Sequence, residues 1–251
     1  VSDGTNQDVE AIIVNVTDAN EAPVISSSAT ANAPENLTGA IDVNHSDVDA
    51  SDTIAYTFTC CTGTDNTLFN IDSSTGVVTF KIAPNFEANA SNAGNNDYVI
   101  EVTARDGGSL SDTQTITISV TDANDAPVIS SSSTANAAEN QTAAIDVNHT
   151  DADSDTITYT ISGGVDADLF NIDSGTGVVT FKAAPNFEAN ASNAGNNDYV
   201  INVTATDDGT GTLAVTQTIT ISVTDANDAP VISSSSTANA AENQTAAIDV
   251  N

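Results

Sequence analysis

The sequence has almost no positive charge. Lys81, Arg105 and Lys182 are its only basic residues against 35 Asp and Glu, giving a formal net charge of −32. Phosphate binding needs clustered Lys and Arg, so nucleic acid is ruled against as a partner. An anionic membrane surface is disfavoured on the same ground. No apolar run approaches the roughly 18 residues of a membrane span, so no direct membrane insertion is expected of this segment. Trp and Met are absent, and seven Phe and four Tyr are the only aromatics. The two histidines, His45 and His149, fall one per repeat and are read as ordinary loop residues. The two cysteines are adjacent, and no Cys–His pair exists for zinc or nucleophilic catalysis. Carboxylate pairs abound, yet no His, Lys or Ser is arranged with them, and the aromatic platforms of a glycosidase cleft are missing. No enzymatic activity is expected.

What the chain has is β-branched residues and turn formers: Val, Ile and Thr among Ser, Asn, Asp and Gly. That mixture favours strands over helices. Regular alternation argues against the disorder that high charge alone would suggest. An internal repeat dominates. Residues 84–100 recur unchanged at 185–201, and residues 125–148 recur unchanged at 228–251. The hexapeptide Asp122-Ala123-Asn124-Asp125-Ala126-Pro127 has counterparts at 18–23 and 225–230, spaced by 104 and then 103 residues. A period of that length is one β-sandwich and too long for a solenoid repeat. Four segments are expected: 1–23, the C-terminal strand and linker of a preceding repeat; 24–127 and 128–230, two whole repeats; and 231–251, the N-terminal strands of a following one. The register, without an initiator Met or a signal peptide, is that of part of a longer array.

Within 128–230, alternation predicts seven strands. Val128-Ile129 opens strand A, and Ile145 and Val147 mark strand B. Ile157, Tyr159 and Ile161 alternate in strand C. Leu169, Phe170 and Ile172 form strand D, followed by Val179 and Phe181 in strand E. Tyr199, Ile201, Val203 and Ala205 alternate in strand F, and Ile219, Ile221 and Val223 in strand G. One apolar face per strand predicts an all-β chain of tandem seven-stranded Greek-key sandwiches. The Asn-rich segment 186–197 reads as a loop with one helical turn around Phe187-Glu188-Ala189.

The acids recur at fixed places outside the strand cores. Glu35 and Glu139 precede strand B, and Glu87 and Glu188 follow Pro-Asn-Phe. Asp47, Asp49 and Asp52, like Asp151, Asp153 and Asp155, lie between strands B and C, and Asp106 and Asp207 end strand F. Stacked end to end, two such repeats are expected to gather Glu35, Glu87, Asp122, Asn124, Asp125, Asp151, Asp153 and Asp207. Seven of those eight are carboxylates, an unfavourable density of charge without cations. Oxygen-only ligands select a hard ion, and flexible high coordination favours Ca²⁺ over Mg²⁺. About three Ca²⁺ per complete junction would nearly neutralise the set. The same positions nominate Asp18, Asn20 and Glu21 with Asp47, Asp49 and Asp106 on one side, and Glu139, Glu188, Asp225, Asn227 and Asp228 on the other.

These residues carry a resemblance to the extracellular cadherin repeat, and it covers the whole chain. Pro34-Glu35-Asn36 and Ala138-Glu139-Asn140 resemble the family's first calcium-binding Glu motif, and Asp151-Ala152-Asp153 its Asp-x-Asp. Leu169-Phe170-Asn171-Ile172-Asp173 with Thr176-Gly177-Val178 resembles its mid-domain motif. Ala205-Thr206-Asp207 resembles the end of its strand F, and Asp122-Ala123-Asn124-Asp125 its linker. The resemblance implies a rigid rod with calcium between successive domains, on the outside of a cell. Two departures stand out. Asn85 and Asn186 replace an Asp two residues before Glu87 and Glu188, and Glu21 stands where the other linkers have Asp125 and Asp228.

Competing readings remain open at this level. The acids could be a solvated surface suited to saline surroundings. Cys60-Cys61 align with Gly163-Gly164 at a turn whose glycines suggest unusual backbone angles. The cysteines are either a vicinal disulfide or two free thiols. Nine Asn-x-Ser/Thr sequons occur, among them Asn36, Asn89, Asn148, Asn190 and Asn202, in a chain where chance produces many. The favoured function is a calcium-rigidified stalk or filament segment of a large, microbial, secreted or cell-surface adhesin. One alternative is a directly adhesive module that binds its own copies, cell-surface proteins or glycans. The other is a filament subunit assembled by strand exchange.

Overall fold

A computed structural model describes all residues except 2, 3, 8, 50, 60–62, 235, 238, 240, 241, 244 and 246–251. Cys60 and Cys61 lie outside the described residues, as does much of 231–251. The chain divides into two compact units, Val1–Ala123 and Asn124–Asn251.

The first unit contains β1 (Val24–Ile25), β2 (Thr30–Pro34), β3 (Gly39–Asp42), β4 (His45–Ser46), β5 (Ala55–Phe58), β6 (Phe69–Ile71), β7 (Val77–Phe80), β8 (Asp97–Arg105) and β9 (Ser111–Thr121). The second repeats this order as β10 (Val128–Ile129), β11 (Thr134–Ala138), β12 (Ala143–Asp146), β13 (His149–Thr150), β14 (Thr158–Gly163), β15 (Phe170–Ile172), β16 (Val178–Phe181), β17 (Asp198–Thr206) and β18 (Ala214–Thr224). In each unit a four-stranded sheet, β2-β9-β8-β5 or β11-β18-β17-β14, faces a three-stranded one, β3-β7-β6 or β12-β16-β15. The all-β sandwich expected from alternation is present.

Strands A and B are each broken in two. β10 pairs antiparallel with β13, and after Ser130–Ser133 the chain resumes as β11, parallel to β18 with Ala135 opposite Ile221. The Ser-rich stretch has no apolar alternation to reveal this switch of partner. His45 and His149 correct the loop reading: they lie in β4 and β13. Each ring Nδ1 is hydrogen-bonded to a tyrosine hydroxyl, His45 to Tyr56 at 2.6 Å and His149 to Tyr159 at 2.5 Å. Leu169 belongs to a 3-10 turn, Ala167–Leu169, that precedes β15. Phe187–Ala189 is the expected helical turn. Gly164 adopts φ +103, and a Cβ there would lie 2.4 Å from the Ile201 Cα, which accounts for the second glycine of the pair.

The period-2 pattern decides what is buried. In β17, Tyr199, Ile201, Val203 and Ala205 point into the core, opposed in β18 by Ile219 and Ile221. Tyr199 meets Phe181 of the facing sheet edge-on at 5.3 Å, and Phe181 packs on Phe170 at 4.4 Å. Tyr98, Phe80 and Phe69 repeat the arrangement in the first unit. Full burial of one such aromatic side chain contributes about 1.5–3 kcal/mol. Residues 1–23 form no strand among those described, and Ile12, Ile13, Val14 and Val16 are exposed. The equivalent stretch of β9 is buried because β2 and β8 flank it.

Candidate metal centre

Each unit carries two acidic clusters. The first forms where β2 or β11 ends. Glu35 is only 1 % exposed, and its carboxylate accepts the backbone N–H of Phe86 at 2.7 Å and of Ala123 at 2.9 Å. One carboxylate oxygen each from Glu35, Glu87 and Asp122 gathers within 4.8 Å. In the second unit Glu139 accepts from Phe187 and Ala226, both at 2.9 Å, and Glu139, Glu188 and Asp225 form the matching group. The Ala226 and Phe187 N–H groups hold the Glu139 carboxyl below the ordinary carboxylate range. Both clusters unite residues about 50 and 90 positions apart, which only the sandwich brings together. Asn186 uses its side-chain oxygen to accept the Ala189 N–H at 2.8 Å. It caps the turn that carries Glu188, a role that Asp would fill equally well.

The second cluster forms on the loops after β4 or β13 and after β8 or β17. In the first unit, Asn20 donates to Asp106 at 2.9 Å and the Glu21 N–H donates to Asp49 at 2.8 Å. Asp18, Glu21 and Asp49 form a group, with Asp47 accepting the Asp49 N–H at 2.9 Å. In the second unit Asn124 donates to Asp207 at 3.2 Å, and the Asp125 N–H donates to Asp153 at 2.7 Å. The group there is Asp151, Asp153 and Asp155. Asp207, 4 % exposed, is held by the N–H groups of Leu213 at 2.9 Å and Gly209 at 3.2 Å. An open cavity lined by Asp125, Ala126, Val128, Thr150 and Asp151 adjoins this group. Asn227 and Asp228 are not in either cluster of the second unit: Asp228 accepts from the Asn140 side chain at 2.9 Å.

Electrostatics show which carboxylates are under pressure. Asp155 is pushed above the ordinary range by burial first, then by Asp151, Asp208, Asp153 and Asp207. Burial followed by Asp49, Asp106 and Asp47 does the same to Asp52, and burial with Asp49 and Asp18 to Glu21. One oxygen of each of Asp47, Asp52, Asp151 and Asp155 is covered from solvent and accepts no hydrogen bond. A buried anionic oxygen without a donor is costly. The donor set, all oxygen and largely carboxylate, fits a hard divalent cation. Asp155 and Asp208 are the participants that motif reading missed. Asp208 accepts the Thr156 N–H at 2.8 Å and so ties the two loops together.

Residues 131–224 match the Cadherin domain family. The match spans strands β11 to β18 of the second unit. The chain is 32 % identical over 247 residues to the mouse Cadherin EGF LAG seven-pass G-type receptor 2, covering 92 % of this chain and 8 % of that protein. It is 30 % identical over 238 residues to human Protocadherin Fat 1, covering 88 % and 5 %. The chain thus spans less than a tenth of these cadherin relatives. Among solved structures, human Protocadherin-24 EC1-2 (Form II) aligns with a TM-score of 0.52 at 19 % identity, over 82 % of this chain and all of that one. That similarity concerns the fold.

Proposed function

We propose that this chain is a calcium-stabilised stalk or filament segment of a large, secreted or cell-surface adhesin, made of the whole repeats 24–127 and 128–230 with partial repeats at 1–23 and 231–251. The carrying observation is the set of covered, donorless carboxylate oxygens at Asp47, Asp52, Asp151 and Asp155, in a stretch that includes the match to the Cadherin domain family. Cadherin domains in general bind calcium, and the relatives named above are cadherins.

The linker explains how such binding would act. Asp122 groups with Glu35 and Glu87, while Asn124 and Asp125 are hydrogen-bonded to Asp207 and Asp153. Two peptide bonds separate Asp122 from Asn124, a span of at most about 7 Å. Calcium supplies the positive charge these oxygens lack. Glu35, Glu87 and Asp122 would hold it against one half of the linker. Asn124, Asp125, Asp151, Asp153 and Asp207 would hold it against the other. A hexapeptide fixed at both halves loses most of its backbone freedom, and the array stiffens. About three ions per complete junction match the charge. The partners this reading implies are neighbouring repeats and further copies of the chain, in an extracellular setting. The near-identical repeats fit an array lengthened by duplication; the relatives named are from mouse and human.

The test is differential scanning calorimetry with small-angle scattering at high, fixed ionic strength. Millimolar Ca²⁺ is expected to raise the melting temperature and lengthen the particle, and chelator to reverse both. At 100 times Kd, each independent site stabilises by about 2.7 kcal/mol. If chelator changes neither quantity, the acids are a solvated surface.

A further inference from the structure

We propose that the cavity beside Lys81 binds a small ligand with an apolar body and a single carboxylate, and that the first unit binds it more tightly than the second. The site uses none of the clustered carboxylates and does not rest on the calcium reading.

The cavity lies where the chain passes from the end of β7 to the start of β8. Phe80 and Tyr98 line it from the core, with their rings edge-on at 5.3 Å. Pro84, Ala88 and Ala90 line it from the connecting loop. Alanine at two of those three positions leaves a space that larger side chains would fill. Its volume is about 380 Å³, within the range of about 300–1,000 Å³ for small-molecule sites.

Charge selects the ligand class. Among the described residues Lys81 is the single charged group in the lining. Its ammonium donates to the carbonyl of Thr67, another lining residue, at 2.7 Å. That bond holds the cation at the cavity wall and uses one of its three donors. The chain has two lysines, Lys81 and Lys182, and each lines such a cavity. Around Lys81, Ile82 is 84 % exposed and Leu68 is 39 % exposed, so apolar surface lies uncovered beside the charge. An apolar body removes that surface from water, and a carboxylate meets the remaining ammonium donors. A cationic ligand would face Lys81 unfavourably, and a neutral one would leave the ammonium without a partner of opposite charge.

The two repeats diverge at this cavity. Residues 67–98 and 168–199 differ at three positions: Thr67 against Asp168, Ser74 against Gly175, and Ile82 against Ala183. Two of the three pairs line the cavities. The second cavity is also about 380 Å³, and Lys182 donates to the Asp168 carbonyl at 2.7 Å as Lys81 does to Thr67. Asp168, however, adds a carboxylate that repels an anionic ligand. Ala183 withdraws the apolar rim that Ile82 supplies. Both changes favour binding in the first unit.

The test is methyl NMR of the whole chain, titrated with octanoate, octan-1-ol or octylammonium at fixed ionic strength. Chelator is present throughout, which keeps the outcome independent of calcium. Ile82 and Ala183 differ in kind, so each cavity has its own methyl signal. Octanoate is expected to shift the Ile82 methyl saturably, with a Kd about tenfold below that at Ala183. It is also expected to bind the first cavity more tightly than either of the other probes. Lys81→Met should weaken octanoate about two- to fivefold and leave octan-1-ol unchanged. Asp168→Thr combined with Ala183→Ile should bring the second cavity to the affinity of the first. No saturable shift at Ile82 overturns the site. Octan-1-ol or octylammonium binding as tightly as octanoate, or Lys81→Met without effect, overturns the carboxylate assignment. Equal affinities at the two cavities, or no gain in the double variant, overturn the preference for the first unit. Shifts at Ile82 that follow protein concentration without any probe assign the cavity to contact between copies, and that result overturns the proposal as well.

Discussion

Asp153 accepts the backbone N–H of Asp125 at 2.7 Å, so a loop carboxylate grips the linker through its main chain. The contact removes one of the linker's freedoms before any cation is considered. Truncation by Asp153→Ala is expected to cost about 1.5–3 kcal/mol at most in chelator, the range for a charge-assisted hydrogen bond. It is also expected to reduce the rise in melting temperature on adding calcium. Melting curves with and without calcium measure both. An undiminished calcium-dependent rise would remove Asp153 from the ligand set.

Asp166 is a second buried carboxylate, 3 % exposed, and it serves structure. Its two oxygens accept the N–H groups of Asn193 at 2.7 Å and Val200 at 2.8 Å. It therefore pins the loop that carries Glu188 to the start of β17. Asp166→Ala leaves those donors unsatisfied and is expected to destabilise by about 1–3 kcal/mol. Asp166→Asn, which keeps an acceptor, should cost less. Urea denaturation ranks the two, and amide exchange should show faster exchange at Asn193 and Val200 in the Ala variant.

Gly177 tests the backbone. It adopts φ +77, and a Cβ would stand 2.2 Å from the Val147 carbonyl oxygen and 3.0 Å from the Tyr159 ring. Neither neighbour can withdraw, because Val147 is fully buried and Tyr159 is nearly so. Gly177→Ala is expected to destabilise by about 1–3 kcal/mol or more. Gly76, at φ +78 against Val43 and Tyr56, should behave alike in the first unit. Equilibrium unfolding of both variants checks the symmetry.

Acid stability follows from Asp173. The N–H of Thr176 first, then the Thr176 hydroxyl and the Gly175 N–H, hold its carboxyl below the ordinary range. Asp72 is held in the same way by Thr75 and Ser74. A depressed folded pKa means the unfolded chain binds the proton more readily. The stabilisation is therefore complete above the unfolded pKa and is lost as pH falls through the folded one. In Asp173→Asn the amide oxygen preserves an acceptor but cannot titrate. Denaturation between neutral and strongly acid pH should show a shallower acid loss in that variant.

Much of this was legible in the chain. Tyr199, Ile201, Val203 and Ala205 announced β17 because a half-buried strand must alternate. The acids around the linker were legible because they recur at a fixed period. The division of strand A was hidden, because Val128–Ala138 is rich in Ser and Ala, and a parallel partner in β18 decides where it pairs. Asp155 was visible as a recurring acid but was not nominated with Asp151 and Asp153, since Asp151-Ala152-Asp153 already filled a recognised motif. Asp166 looked like one loop acid among many, and only burial sets it apart.

The sequence by itself determined the repeat, the strands and the oxygen-only chemistry, because alternation and charge are local properties of a chain. The tertiary structure decided which carboxylate oxygens remain without a donor. Glu35 is satisfied by Phe86 and Ala123, and Asp166 by Asn193 and Val200, whereas Asp151 and Asp155 each keep one covered oxygen unpaired. That difference depends on N–H groups brought from distant positions by the packing of two sheets, and no count of acids contains it.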